Sequence, residues 1–172
     1  MPAPFPHRYS ASLCRTFTSR ARIEAPPRPA PHGGPSPQLD GGVDAWSPEH
    51  MLLSSLGLCM LTTFEAFAAR DGIELLAWHA QVNGTVEQTP EGPTFTSIVL
   101  ELDIEIAGNV DQFEDTLEDA RRDCLVQNAL RVPVVVETSV RTPFDPLGAA
   151  SAGDDLPLRP RLPASARALH AV

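Results

Sequence analysis

The feature that most constrains this chain is a long apolar segment with a helix signal at each end. Residues 51–69 are apolar except for Ser54, Ser55, Thr62, Thr63 and Glu65. Ser47-Pro48-Glu49 precedes the segment and is typical of a helix start, with a serine N-cap, a proline in the first turn and an early carboxylate. Asp71-Gly72 follows it, and glycine commonly ends a helix. We therefore predict a helix from residue 48 to about 70, apolar on nearly every face and so buried on most sides.

A membrane span is the other structure that an apolar run of this length could form. The hydroxyl and carboxylate side chains within it favour a helix buried in protein instead. We recognise no secretory signal, because no early stretch joins a basic region to a long apolar one. The net charge is −9, and the 13 basic residues are all arginine and form no cluster. We therefore expect a cytoplasmic protein whose partners include neither nucleic acid nor a membrane.

The rest of the chain predicts strands on both sides of this helix and a second helix near its end. Residues 9–25 are expected to form a hairpin, and residues 76–88 and 94–107 two further strands. In the second of these, apolar side chains alternate with polar ones, which indicates a sheet with one dry face: the apolar positions are Ile98, Leu100, Leu102, Ile104 and Ile106.

The second helix is predicted to begin near Val110 and to run through Cys124, with apolar residues at steps of three and four that turn Cys124 toward the core. A strand over 132–140 closes the domain. This order of elements predicts an α+β fold with an antiparallel sheet, in one domain over residues 1–141. Residues 142–172 are rich in proline and alanine without an apolar period, so we expect a poorly ordered tail.

Three cysteines are the candidates for chemistry. Cys59 lies in the middle of the long helix, Cys124 in the second helix, and Cys14 in the first hairpin. They form neither a CxxC pair nor a set with matched histidines, so we expect no metal site and no cofactor. A single cysteine in an apolar helix is more often a small buried side chain than a nucleophile. Taken alone, the residues leave both possibilities open.

Two motifs around these cysteines resemble those of the OsmC/Ohr family (osmotically inducible protein C and organic hydroperoxide resistance protein). Residues 46–59, WSPEHMLLSSLGLC, are similar to the family segment that runs from a Pro-Glu helix start to the peroxidatic cysteine. Residues 122–130, RDCLVQNAL, are similar to its second-cysteine segment, which ends in Asn-Ala, although Leu125 stands where the family often has proline. The spacings also fit, and the likeness covers roughly residues 8–140.

This resemblance implies an intertwined homodimer that reduces organic hydroperoxides. Cys59 would attack the peroxide and become a sulfenic acid, and Cys124 would condense with it to a disulfide. An external dithiol, in this family typically of the lipoyl type, would reduce that disulfide. The resemblance also implies that an arginine from the first strands and Glu49 assist the thiolate. Cys14 has no counterpart in the family and is interpreted as incidental.

The assisting cation must be an arginine, because the chain contains no lysine. Arg20 is the favoured candidate, with Arg22 and Arg15 as alternatives. Glu49 precedes Cys59 by ten residues, a rise of about 15 Å along a helix, so it cannot reach the cysteine of its own chain. Two such helices packed antiparallel would bring Glu49 of one subunit beside Cys59 of the other.

Two rival interpretations remain at this point. The chain could be an OsmC-like stress, ligand-binding or redox-sensing protein without efficient turnover. It could also be a structural dimer with inert cysteines.

Overall fold

The computed structural model describes residues 11–143 apart from 16–20, 26, 28 and 43, so the predicted tail lies almost wholly outside the described residues. Three short strands come first, β1 (Ser12–Arg15), β2 (Ala21–Glu24) and β3 (His32–Gly33), and they form one antiparallel sheet. This confirms the predicted hairpin. Trp46 donates its backbone N–H to the carbonyl of His32 in β3 and accepts from the N–H of Gly34, so this sheet holds the residue that precedes the cap of the long helix.

The long helix α1 spans Pro48–Asp71 and has the ends that the sequence predicts. Ser47 is extended (φ −79°, ψ 157°), and its Oγ accepts a hydrogen bond from the backbone N–H of His50. At the other end, Gly72 has a φ of +74°, in the left-handed region that glycine tolerates best. The capping residues therefore determine both ends of α1.

A second sheet contains β4 (Ile73–Thr89), β5 (Gly92–Gly108) and β6 (Val134–Arg141) in that order. The β4–β5 hairpin is antiparallel and its strands are longer than predicted at both ends. Strand β6 runs parallel to β5, with Ile98 opposite Val134. The α+β class is thus confirmed, and the expected antiparallel pairing holds for β4–β5 but is wrong for β5–β6. The helical connection after β5 returns the chain to the end of the sheet at which β5 begins. Two parallel neighbouring strands require such a crossover.

The second predicted helix is interrupted. A short 3-10 turn (Val110–Gln112) leads into α2 (Phe113–Asp123), and a separate helix α3 covers Leu125–Ala129. Cys124 lies between them with extended backbone angles (φ −65°, ψ 103°). The prediction that Cys124 faces the core is confirmed, whereas the prediction that a helix runs through it is wrong.

The core lies between α1, the inner face of the second sheet and α2. The five apolar β5 residues predicted to share a dry face are all buried. Phe64 of α1 is fully buried and its ring lies 5.3 Å from that of Trp78 and 5.8 Å from that of Phe113. One helix residue thus contacts both the sheet and α2.

A polar junction fixes the end of α1 to α2. Thr116, which is fully buried, donates its hydroxyl to Asp71 Oδ2 at 2.7 Å. Arg70 pairs with Asp71 at 2.6 Å and with Asp119 of α2 at 2.7 Å. Arg70 holds the pKa of both carboxyls below the usual range, chiefly through these hydrogen bonds. The helix that carries Cys59 is therefore connected directly to the helix that leads to Cys124.

Helix α1 is less covered than its composition predicts. In its most apolar window of 18 residues only 28% are buried, and Leu58 is 62% exposed. By length and composition alone, α1 could cross a membrane. In a single chain the expectation that α1 is buried on most sides is therefore wrong, because the sheet and α2 cover only part of its circumference.

Candidate active site

Cys59 and Cys124 lie side by side. Cys59 is near the middle of α1 and half-buried, whereas Cys124, in the gap between α2 and α3, is completely buried. Both thiols are free; Cys59 packs against the buried cluster that contains Cys124, and its thiol is near enough to raise the pKa of the Cys124 thiol. The packing of α2 and α3 against α1 thus brings together two cysteines that are 65 residues apart in the sequence.

The surroundings of Cys124 favour its neutral form. Burial, the largest cause, raises the pKa of the Cys124 thiol to about 11, and the neighbouring Cys59 thiol adds to this increase. The backbone N–H groups of Gln127 and Val126 partly offset it, although neither makes a cap hydrogen bond of good geometry. Cys124 is therefore protonated at neutral pH, and its thiolate is a rare species there.

Glu49, in the first turn of α1, has a spare hydrogen-bond acceptor. A hydrogen bond from the Ser47 side chain lowers the pKa of Glu49 most, followed by its own backbone N–H, while desolvation opposes both. The carboxylate is therefore ionised at neutral pH. Its Oε2 is buried and has no hydrogen-bond partner among the described residues. A buried, ionised oxygen in this state is suited to accept a hydrogen bond from a cationic donor.

Ser47 also contacts His50, which was not among the residues predicted for the site. Ser47 Oγ lies 2.7 Å from His50 Nδ1. Both residues and Glu49 line a cavity of about 520 Å³ between the start of α1 and the tip of the β4–β5 hairpin, whose other lining residues include Leu53, Gly84 and Phe95. The sequence could have indicated this contact, because a histidine three residues after a serine N-cap lies in the same first turn.

Among the described side chains, no arginine candidate lies beside Glu49 or Cys59. Arg22 is on β2, its side chain is 55% exposed, and it pairs with Glu24 at 2.6 Å. The backbone of Arg15 is part of β1, but its side chain lies outside the described part of the structure, as does the whole of Arg20. The choice of arginine stays a prediction.

The single chain thus brings the two cysteines together but does not bring Glu49 to them. Glu49 and Cys59 share α1, where ten residues correspond to a rise of about 15 Å. A second opening, of about 330 Å³, lies between α1 and β4 and is lined mainly by apolar side chains. Leu58 lines this opening and is one of the most exposed large apolar residues.

Solved structures with this fold are numerous and distant in sequence. An OsmC-like protein of unknown function from Vibrio cholerae is 19% identical, with a TM-score of 0.69 over 78% of this chain and 100% of that one. An organic hydroperoxide resistance protein OsmC from Legionella pneumophila is 21% identical, with a TM-score of 0.58 over 78% of this chain and 98% of that one. The organic hydroperoxide resistance protein OhrB of Bacillus subtilis is 14% identical, with a TM-score of 0.57 over 77% and 98%. At these identities the likeness shows the fold.

The sequence itself carries the family assignment. No curated protein matches it significantly. The family model described as OsmC-like protein matches residues 40–139, which include α1, the β4–β5 hairpin and both Cys59 and Cys124. This match covers more than half of the chain, and the protein therefore belongs to the OsmC-like family.

Proposed function

We propose that the protein is a thiol-dependent peroxidase that reduces organic hydroperoxides. The Cys59 thiolate attacks the outer oxygen of the hydroperoxide, the O–O bond breaks, and the leaving alkoxide takes up a proton to become an alcohol. Cys59 is then a sulfenic acid. The Cys124 thiolate attacks the Cys59 sulfur, an S–S bond forms, and the displaced hydroxide leaves as water after taking up a proton.

The proximity of Cys59 to Cys124 in the core is the observation that carries this proposal. A disulfide requires its two sulfurs to approach to about 2 Å, which only neighbouring side chains can do without large movement. Two cysteines without a shared function would have no reason to lie next to each other. The chain belongs to the OsmC-like family, and solved structures with the same fold include proteins described as organic hydroperoxide resistance proteins. Both findings support the same chemistry.

An external dithiol would complete the cycle by reducing the disulfide and becoming a disulfide itself. The test is steady-state consumption of cumene hydroperoxide with dihydrolipoamide as reductant, compared with hydrogen peroxide under the same conditions. We expect turnover that is faster with the organic peroxide. Cys59→Ser should abolish it, and Cys14→Ser, the matched control, should not. Turnover by Cys59→Ser at the wild-type rate would refute the peroxidatic role of Cys59.

We further propose that Glu49 orients an arginine, with Arg20 as first candidate, that stabilises the Cys59 thiolate. A thiol in the middle of a helix gains nothing from a helix end, so its thiolate needs a nearby cation. The buried and unpaired Oε2 of Glu49 supports this role, because it offers such a cation an anchor. Arg20→Gln should therefore slow peroxide reduction far more than Arg22→Gln. Equal effects of the two substitutions would contradict the choice of Arg20.

A homodimer with shared sites would resolve the distance between Glu49 and Cys59. The exposed apolar side of α1, with Leu58 at its centre, supports the proposal that a second copy of the chain packs against it. Mixing Cys59→Ser and Glu49→Ala subunits tests this. Each heterodimer would contain one site with both lesions and one intact site, so about a quarter of wild-type activity should return after full exchange. Proven subunit exchange without any recovery would exclude a shared site.

Redox sensing is the second candidate, and one observation favours it. Because Cys124 is protonated at neutral pH, the sulfenic acid of Cys59 would persist long enough to act as a signal. A sensor would form the disulfide once with peroxide but would turn over poorly with any dithiol. The steady-state assay above therefore separates the two functions.

A further inference from the structure

Two side-chain amides bridge the interruption between α2 and α3. Gln127 Nε2 donates to the backbone carbonyl of Arg121 at 3.3 Å, and Asn128 Nδ2 donates to that of Arg122 at 2.7 Å. Each contact runs from α3 back to the last turn of α2, across Cys124. Both bonds therefore join the two helices at the residue where the chain leaves helical geometry.

These bonds explain why the helical geometry can be interrupted at Cys124. A helix leaves its last carbonyl groups without backbone partners, and a continuous helix would supply them from the next turn. Here the amides of Gln127 and Asn128 supply partners for two of these carbonyls, those of Arg121 and Arg122, and the backbone N–H of Cys124 adds a second bond, of 3.4 Å, to the Arg121 carbonyl. The carbonyl of Cys124 then accepts from the backbone N–H of Asn128 at 3.0 Å, which begins the next helix.

We propose that Gln127 and Asn128 are positioning residues for disulfide formation between Cys59 and Cys124. They hold Cys124 in its extended conformation (φ −65°, ψ 103°), in the buried cluster against which Cys59 packs. This inference rests on the proposed function, in which Cys124 resolves the oxidised Cys59. Without the amides, the carbonyls of α2 gain partners if the helix continues through Cys124. Cys124 then samples other backbone conformations, and disulfide formation must first select the one that suits it.

The two residues are not expected to contribute equally. The Asn128 bond is short, at 2.7 Å, whereas the Gln127 bond is long, at 3.3 Å. Hydrogen bonds weaken as they lengthen beyond the usual range. Asn128 should therefore have the larger effect, and this order is itself a part of the inference.

A glutathione redox buffer measures the effect without any peroxide. Oxidised glutathione takes two electrons from the protein, so that two thiols become the Cys59–Cys124 disulfide and two molecules of reduced glutathione are released. The equilibrium gives the effective concentration of one cysteine at the other. Trypsin cleaves after arginine, and Arg70 and Arg122 place Cys59 and Cys124 on different peptides, so mass spectrometry identifies the disulfide directly.

The test compares Asn128→Ala with a matched control, Asn109→Ala. Asn109 donates its side-chain amide to the carbonyl of Asp71 at 3.1 Å, a bond of the same kind at the opposite end of α2. We expect Asn128→Ala to lower the effective concentration about three- to tenfold, as the loss of one hydrogen bond implies, and Asn109→Ala to leave it unchanged. Alanine forms helices better than asparagine, so a weaker α3 cannot cause the decrease.

Gln127→Met, which keeps the length of the side chain but has no donor, gives a second variant should Asn128→Ala fail to fold. A decrease smaller than that of Asn128→Ala is expected. A variant that loses thermal stability but keeps the wild-type effective concentration would overturn the inference, as would a wild-type protein that forms no Cys59–Cys124 disulfide in glutathione. Peroxide consumption is judged separately. A disulfide that depends on Asn128 in a protein that consumes no peroxide would support positioning and refute the peroxidase.

Discussion

Disulfide formation should be the step of the reaction that depends most on pH. Cys124 attacks as a thiolate, and burial, with a smaller effect of the Cys59 thiol, has raised the pKa of this thiol from about 9.0 to about 11. At pH 7 its thiolate is then about one part in ten thousand, against about one in a hundred for the ordinary value. Oxidation of Cys59 removes part of the neighbouring thiol's influence, but burial, the larger cause, remains. The rate of disulfide formation should therefore rise about tenfold for each pH unit below the pKa.

The pH range in which this rate can be measured on the folded protein follows from the same increase in the pKa of Cys124. A folded-state pKa of about 11 above an unfolded value near 9.0 means that the folded protein holds this proton more tightly. The resulting stability is fully present below pH 9 and is lost as pH rises from 9 to 11, by about 1.4 kcal/mol for each pH unit between the two pKa values. Measurements between pH 6.5 and 8.5 stay below this loss, and over these two pH units the rate should rise about a hundredfold.

The assay mixes reduced protein with one equivalent of cumene hydroperoxide and quenches samples in time with a sulfenic-acid trap and a thiol alkylator. Mass spectrometry then follows the decay of the Cys59 sulfenic acid and the growth of the disulfide. Cys124→Ser, the control, should keep the sulfenic acid at every pH. A rate of disulfide formation that does not change between pH 6.5 and 8.5 would refute attack by a buried Cys124 thiolate.

Three further predictions concern oxidation damage, stability and the end of the chain. Cys124→Ser should permit one attack and then leave Cys59 open to over-oxidation, seen as sulfinic acid under excess peroxide; a persistent sulfenic acid would contradict this. Thr116→Val should lower the free energy of unfolding in urea by about 1–2 kcal/mol, because Asp71 loses a buried donor; an unchanged midpoint would show that water replaces the hydroxyl. Deletion of residues 145–172 should leave activity and melting temperature nearly unchanged, because that segment offers no periodic apolar face; a loss of several degrees would show that it docks.

Local signals made most of the fold predictable from the sequence. Ser47 and Gly72 determine the ends of α1 by hydrogen bonding and backbone conformation, both of which depend on the neighbouring residues alone. The alternation from Ile98 to Ile106 predicted which side of β5 is buried, because the side chains of a strand alternate between two faces. These features need no knowledge of distant parts of the chain.

Two features of the fold were missed, the direction of β6 and the interruption at Cys124, and their reasons differ. The direction of β6 could have been predicted, because about 25 residues with a helix separate it from β5 and allow a crossover. The break at Cys124 was hidden because apolar residues continue at helical steps through Leu117, Ala120 and Cys124. The amides of Gln127 and Asn128 that stabilise it lie beyond the break and have no characteristic spacing of their own.

The candidate site was also only partly predictable. Cys59 and Cys124 were named from two motifs, and their contact depends on how α2 and α3 pack against α1. Glu49 was also named, but the Ser47–His50 contact beside it was not. The arginine stays a prediction, because it depends on a segment before α1 whose path the sequence does not determine.

A single-turnover experiment tests the peroxidase proposal most directly. Reduced wild-type protein receives one equivalent of cumene hydroperoxide at pH 8, and the products are counted by chromatography and by mass spectrometry of tryptic peptides. We expect one molecule of cumyl alcohol and one Cys59–Cys124 disulfide per chain, with neither product from Cys59→Ser. Unreacted peroxide beside free Cys59 and Cys124 thiols, or alcohol formed at the wild-type rate by Cys59→Ser, would contradict the proposal.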